Sequence, residues 1–160
     1  MCVENSDDRY KHLRKFYYLS TIQNQKQEDK MSSELKQVIL VRQDLKMKKS
    51  QVASLVAKAS TEFFIVNDES VRSDTLSVRL TPEETDWINS GSIRVVLGVG
   101  SETTLRSLAF KAELAGLQCY PVDGKIFSDG EDGPMETLCI AIGPDQSKKI
   151  DEITKNLKLL

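Results

Sequence analysis

The chain has 160 residues, of which 39% are hydrophobic and 29% charged, and a formal net charge of −2. That length suits one ordinary domain, and the composition excludes a disordered chain. The charge excludes bulk basicity as a means of holding nucleic acid, so any polyanion must meet a local patch.

Residues 1–33 read as a flexible N-terminal extension ahead of a domain over 34–160. The stretch QNQKQEDKMSSE is polar and lacks a packing face, HLRKFYYL can form a short amphipathic turn, and Met31 offers an alternative start. Glu4, Asp7 and Asp8 and the lack of an apolar core argue against a signal or transit peptide. No stretch approaches the roughly 20 apolar residues of a membrane helix. The expected location is the cytoplasm. The one histidine, His12, lies in this polar segment, so a histidine general base is not expected in the domain. Cys2, Cys119 and Cys139 are odd in number and far apart. Cys119 and Cys139 sit in apolar runs and read as buried small hydrophobes in a reducing compartment. No CxxC pair or Cys/His cluster suggests a metal site, and no cofactor is expected.

KQVILVR, residues 36–42, is a continuous apolar run suited to a strand buried on both faces. Ser50 is placed to cap a following helix, in which Val52, Leu55, Val56, Ala59 and Phe63 recur at helical spacing. NDESVRSDTLSVRLT reads as a loop, and Pro82 opens a short helix, PEETDWINS, closed by Gly91. Leu76, Val78 and Trp87 can form an exposed apolar face of the kind that marks an oligomer contact. The core is the more natural place for Trp87.

IRVVLGV predicts a second strand. Ser101 caps a long helix with an apolar stripe of Leu105, Leu108, Ala109, Ala112 and Ala115, and Gly116 ends it. LQCYPV is a third strand, DGKIFSDGEDGP (123–134) a Gly/Asp-rich loop and TLCIAIG a fourth strand. Pro144 and Asp145 start a last helix, and LKLL is an apolar tail free to return to the core. The fold class is α/β: a single layered domain with a four-stranded mixed sheet flanked by helices. The mixture follows from the two strands joined without a helix, which must pair antiparallel.

Two stretches carry chemistry. Arg42, Lys46, Lys48 and Lys49 surround Asp44 at a strand end and helix start, where open α/β sheets place ligands and where free N–H groups favour phosphate. Lys58 extends this patch two turns on. The alternative is a plain solvated basic turn. The acidic 123–134 loop does not follow a calcium-loop pattern and reads better as a hairpin connection.

The stretches KQVILVRQDLKMKKSQVASLVAKAS, DWINSGSIRVVLGVGSETTLRSLAFKAELAGL and ETLCIAIGPDQSKKIDEITKNLKLL together resemble the type 2 peptidyl-tRNA hydrolase family. The likeness covers residues 36–160 in order. It rests most on Arg42, Asp44, Leu45 and Met47 and on Ala141, Ile142, Gly143 and Pro144. It implies an α/β domain that hydrolyses the ester between a peptide and the 3′ end of tRNA, with peptidyl-tRNA as partner, no membrane and a plausible homodimer. Arg42, Asp44, Lys46, Lys48 and Lys58 are then the expected tRNA-binding residues, with backbone and shape recognised more than sequence.

The chain departs from the family at central positions. The family's Gly-Lys pair is Ser50-Gln51, its helix Gln is Leu55 and its His is Lys58. Its later Asp-x-Gly-x-Thr-Gln stretch aligns only loosely with Asp123, Gly124, Ser128 and Asp129. Ester hydrolysis needs an oriented water and donors or charge facing the developing oxyanion. Asp123 can act as base, Ser128 can position the water, and Gln51 can donate without bringing charge. Lys49 or Lys58 can supply the charge from another direction, and Lys58 lies about 10 Å from Gln51 along the helix axis. The expected function is peptidyl-tRNA hydrolysis, at normal or reduced rate. The alternatives are an inactive relative that binds tRNA or a protein, and a binder of a smaller phosphorylated ligand, although GxGxxG and GxxxxGK[ST] are both absent.

Overall fold

The computed structural model describes residues 34–66, 77–128 and 131–160. The expected N-terminal extension, with His12 and the alternative start at Met31, lies outside them, as do positions 67–76 of the stretch expected to loop, Leu76 among them. The chain over Leu35–Leu160 forms one compact unit. Its elements, in chain order, are β1 (Leu35–Arg42), α1 (Lys49–Val66), α2 (Pro82–Asn89), β2 (Arg94–Val99), α3 (Glu102–Leu114), β3 (Cys119–Ser128), β4 (Glu131–Gln146), α4 (Ser147–Thr154) and β5 (Lys158–Leu159).

The five strands make one mixed sheet in the order β3-β4-β1-β2-β5. β1 and β2 are parallel, and the β1–β4, β3–β4 and β2–β5 pairs are antiparallel. The α/β class and the mixed sheet agree with the sequence reading; the count of four strands does not. The fifth is the end of the apolar tail, where Lys158 and Leu159 pair with Gly98 and Leu97. Two residues are too few for any periodicity to announce a strand.

β1 lies in the middle of the sheet, and its unbroken apolar run divides between two cores. Val38 and Leu40 pack with Leu105, Leu108, Ala109 and Ala112 of α3 and Ile150 of α4. Ile39 and Val41 pack with Leu55, Ala59 and Phe63 of α1 and Trp87 of α2. α1 and α3 therefore cover opposite faces, which explains a strand apolar on both sides. Of the stripe expected on α3, Ala115 is exposed, because the helix ends at Leu114. Trp87 is fully buried, edge-on to Phe63 with ring centroids 5.8 Å apart, and its Nε1–H donates to Ile93 O at 2.9 Å. It therefore contributes to the core and not to an exposed face.

Three boundaries differ from expectation. The Gly/Asp-rich stretch is not an open loop: β3 and β4 stay paired through Lys125↔Met135 and on to Ser128↔Glu131, with bulges at Val122/Asp123 and Lys125/Phe127. Backbone pairing overrides low strand propensity there. The last helix begins at Ser147 and not at Pro144, because Asp145 and Gln146 still pair with Lys36 and Leu35. α1 begins at Lys49, so Ser50 lies inside the first turn and does not cap it. The Ala-Ile-Gly-Pro stretch has a local reason for its glycine. Gly143 has φ of +78°, and a Cβ there would come within 2.8 Å of Asp145 N and 3.2 Å of Lys36 O.

Candidate active site beyond the end of β1

Pairing of β1 with β4 ends at Val41↔Cys139, but β4 continues toward Glu131 paired with β3. The two strands thus project past the C-terminal end of β1 as a ribbon. Because β1 and β2 are parallel, α1 and α3 both start at this same end, on opposite faces of the sheet. The ribbon stands between the two helix starts, at the end where open α/β sheets place their ligands.

On the α1 side lies an open groove of about 400 Å³, whose walls include Met47, Gln51, Leu55 and Lys58 opposite Asp123 and Lys125. Gln51 and Lys58 are seven residues apart on one helix face, and both line this groove. Gln51 is exposed, and its Oε1 accepts from the Lys48 backbone N–H at 2.8 Å. Lys48 holds the N-cap position, since its carbonyl accepts from Val52 N at 3.0 Å. Gln51 thus supplies the return half of a capping box, with lysine where a Ser or Thr would complete it. The first turn of α1 contains no acidic residue. Lys46, Lys48 and Lys49 are all exposed, and Lys46 sits in a left-handed turn at φ 48°. Cations beside a helix N-terminus work against the macrodipole, and a bound anion relieves that conflict.

Arg42 is placed differently from those lysines. It is 6% exposed and occupied by carboxylates. Nε and Nη2 donate to the two Asp44 oxygens at 3.1 and 2.7 Å, and Nη1 donates to Glu136 Oε2 at 2.6 Å. Glu102 Oε2 lies 3.5 Å from Nη1, and Thr137 O accepts from it at 3.4 Å. The bidentate pair is the strong form of this contact. The hydrogen bond from Arg42 holds the Asp44 carboxyl below its usual value, and the same bond raises the guanidinium, so both stay charged. Arg42 ties the loop after β1 to β4 and to the start of α3.

Asp123 is exposed and lines the groove, and its Oδ1 accepts from the Thr137 hydroxyl at 2.7 Å across the ribbon. Thr137 is 5% exposed. Its Oγ1 also accepts from Arg106 Nη2 at 3.2 Å. Arg106 comes from α3 and is held by Glu102 four residues earlier at 2.8 Å. Ser128, the other hydroxyl expected in the site, is the last residue of β3, five residues along the ribbon from Asp123, and pairs with Glu131.

The structure thus brings Gln51, Lys58 and Asp123 to one groove and sets Lys49 at the helix start beside it. Thr137, Glu136, Glu102 and Arg106 escaped the sequence reading. The Glu102/Arg106 spacing of four was the available signal, but nothing local ties that pair to a threonine 31 residues later. Cys139 is fully buried, and desolvation pushes its thiol up to about 12; Cys119 is half-buried and pushed up to about 12 for the same reason. Neither offers a thiolate near neutral pH. Among the described residues, no group of three or more His, Cys, Asp or Glu side chains is arranged to hold a metal ion. Among them, too, no helix is long and apolar enough to cross a membrane.

Comparison with known proteins matches this architecture to one group. The family described as "Peptidyl-tRNA hydrolase PTH2" matches residues 35–160. The peptidyl-tRNA hydrolase of Methanococcus maripaludis is 32% identical over 124 residues, 78% of this chain and 97% of its own length. That of Haloquadratum walsbyi is 37% identical over 125 residues, 78% and 99% of the two chains. That of Methanocaldococcus jannaschii is 32% identical over 127 residues, 79% and 100%. The match begins with β1 and ends with β5, and so takes in the whole sheet, both helix starts and the ribbon between them: the chain belongs to the peptidyl-tRNA hydrolase PTH2 family.

Proposed function

We propose that the chain hydrolyses the ester joining a peptide to the 3′ end of tRNA. The observation that carries this reading is the family match over residues 35–160, which covers every element around the groove. In the reaction, water oxygen adds to the ester carbonyl carbon and the bond to the ribose oxygen breaks. The ribose hydroxyl recovers a proton, and the peptide leaves as a carboxylate. Asp123 acts as the base that orients and deprotonates water, and Ser128 helps to position it. The oxyanion meets the Gln51 amide N–H donors and the ammonium of Lys58 or Lys49. Loss of one such donor in other enzymes costs about 2.7–4 kcal/mol, so a glutamine at position 51 sets a reduced rate and not an absent one.

Lys46, Lys48 and Lys49 take the tRNA backbone, with Lys58 reaching toward its 3′ end. Arg42 and Asp44 act on tRNA through the shape of the loop that carries the lysines, an assignment supported by the burial of Arg42. Residues 1–33 form an extension to the hydrolase domain, the protein works in the cytoplasm, and two copies associate. The test is release of free tRNA from peptidyl-tRNA by the wild type and by Asp123→Ala. Turnover that falls at least tenfold in Asp123→Ala supports the assignment. A folded wild type that binds tRNA but releases none, even in excess over substrate, refutes it.

A further inference from the structure

The charge missing from position 51 has a counterpart on the other face of the sheet. We infer that Arg106, on α3, is a positioning residue for the reaction: it fixes the Thr137 hydroxyl, and through it the Asp123 carboxylate, at the groove. This rests on the hydrolase reading above.

Proton inventory sets the direction of the chain of bonds. A guanidinium has only donors, and an ionised carboxylate has only acceptors. Thr137 Oγ1 lies 3.2 Å from Arg106 Nη2 and 2.7 Å from Asp123 Oδ1. The hydroxyl has a single proton. With arginine on one side, that proton must point at Asp123. The order is therefore Arg106 → Thr137 → Asp123, and it cannot reverse while both end groups are charged. A hydroxyl polarised by a cation is a stronger donor than one bonded to water.

Arg106 is itself held. Its Nε donates to Glu102 Oε1 at 2.8 Å, one helical turn earlier. The other oxygen of Glu102 lies 3.5 Å from Nη1 of the buried Arg42. The relay is thus anchored in the same carboxylate cluster that shapes the lysine-bearing loop. Thr137 is almost fully buried, which limits water as a substitute partner. The positive charge comes from α3 and does not need the α1 position where Gln51 stands. Arg106 does not line the groove, so it acts through Thr137 and not on the substrate.

The test combines kinetics with one measurement that needs no turnover. In Arg106→Ala, kcat should fall about three- to tenfold, the range that one partly exposed hydrogen bond supplies, with KM within about twofold of wild type. Arg106→Lys should recover part of the loss. Guanidinium at tens of millimolar should restore part of it to Arg106→Ala and not to Thr137→Val, because only the former keeps the hydroxyl it must orient. Independently, the Thr137 hydroxyl proton, observed by NMR, should exchange with water at least about threefold faster in Arg106→Ala. A wild-type kcat in Arg106→Ala, or an unchanged hydroxyl exchange rate, overturns the inference. A wild type without turnover whose Thr137 proton is still protected by Arg106 refutes the hydrolase reading and upholds the relay.

Discussion

Helices α1 and α3 start at the same end of the sheet, each after one of the two parallel strands, and their first turns are built in opposite ways. α3 follows the rules. Ser101 Oγ accepts from Thr104 N at 3.2 Å, Glu102 places a negative charge in the first turn, and Arg106 pairs with it one turn later. α1 breaks them. Lysine holds its N-cap, a second lysine opens its first turn, and no acid offsets the dipole. Among the described residues, its side-chain cap is Gln51 reaching back to the Lys48 N–H. A helix start that departs from local preference is expected where function requires it. The contrast fits the proposal that α3 braces the site and α1 is the side that meets an anion.

Arg42 bridges the two starts, and its removal should have the largest effect. Arg42→Ala removes the guanidinium from Asp44 and Glu136, each about a third exposed, and leaves Glu102 with Arg106 alone. The expected loss is about 3 kcal/mol in urea unfolding, the low end for a broken buried pair because the carboxylates keep some water. The same pair sets a pH dependence. Asp44 titrates below its usual value when folded, so its contribution is complete above about pH 4 and is lost as pH falls through the lowered value. Wild-type unfolding free energy should therefore decline in acid more steeply than that of Asp44→Asn.

Removing the brace on α3 comes next. Ser101→Ala should cost about 1 kcal/mol of stability and leave tRNA affinity unchanged, as measured by urea titration and filter binding. The smallest effect on stability, and the most telling in sign, belongs to α1. Lys48→Glu or Lys49→Glu should stabilise the fold by about 0.3–1 kcal/mol while weakening tRNA binding. The slope of log affinity against log salt should shrink by roughly one for each phosphate that no longer meets a lysine. A charge reversal that destabilised the fold, or kept the salt slope intact, would erase the contrast between the two helix starts.

Much of this arrangement was legible in the sequence, and the limits have physical causes. β1 announced itself because a strand buried on both faces needs a continuous apolar run, and Val38 to Val41 supply one. The Ser101 cap was readable because capping is local. The ribbon was not, since Asp123, Gly124 and their partners are held by backbone pairing that side-chain propensity opposes. Arg42 illustrates the deeper limit. By composition and spacing it is one of four cations in a turn, and the family resemblance marks it without showing that it is buried. Only its bonds to Glu102 and Glu136, 60 and 94 residues away, set it apart. Helical spacing put Lys58 on the face of Gln51 but left its entry into the groove open, whereas the Arg106–Thr137–Asp123 relay depends on a fold-level meeting of α3, β4 and β3.

The proposed hydrolase site centres on the α1 start, with Gln51 where the family resemblance implies a lysine. The most direct test is single-turnover hydrolysis of peptidyl-tRNA by wild type and Gln51→Lys side by side. The wild type should give measurable release, and Gln51→Lys should release at least about tenfold faster, since a charged donor replaces a neutral one facing the oxyanion. The variant should also lose about 0.5 kcal/mol of stability, the low end for one hydrogen bond, as the exposed bond to the Lys48 N–H is broken. No release by either protein, with both folded and both binding tRNA, would contradict a working site at α1.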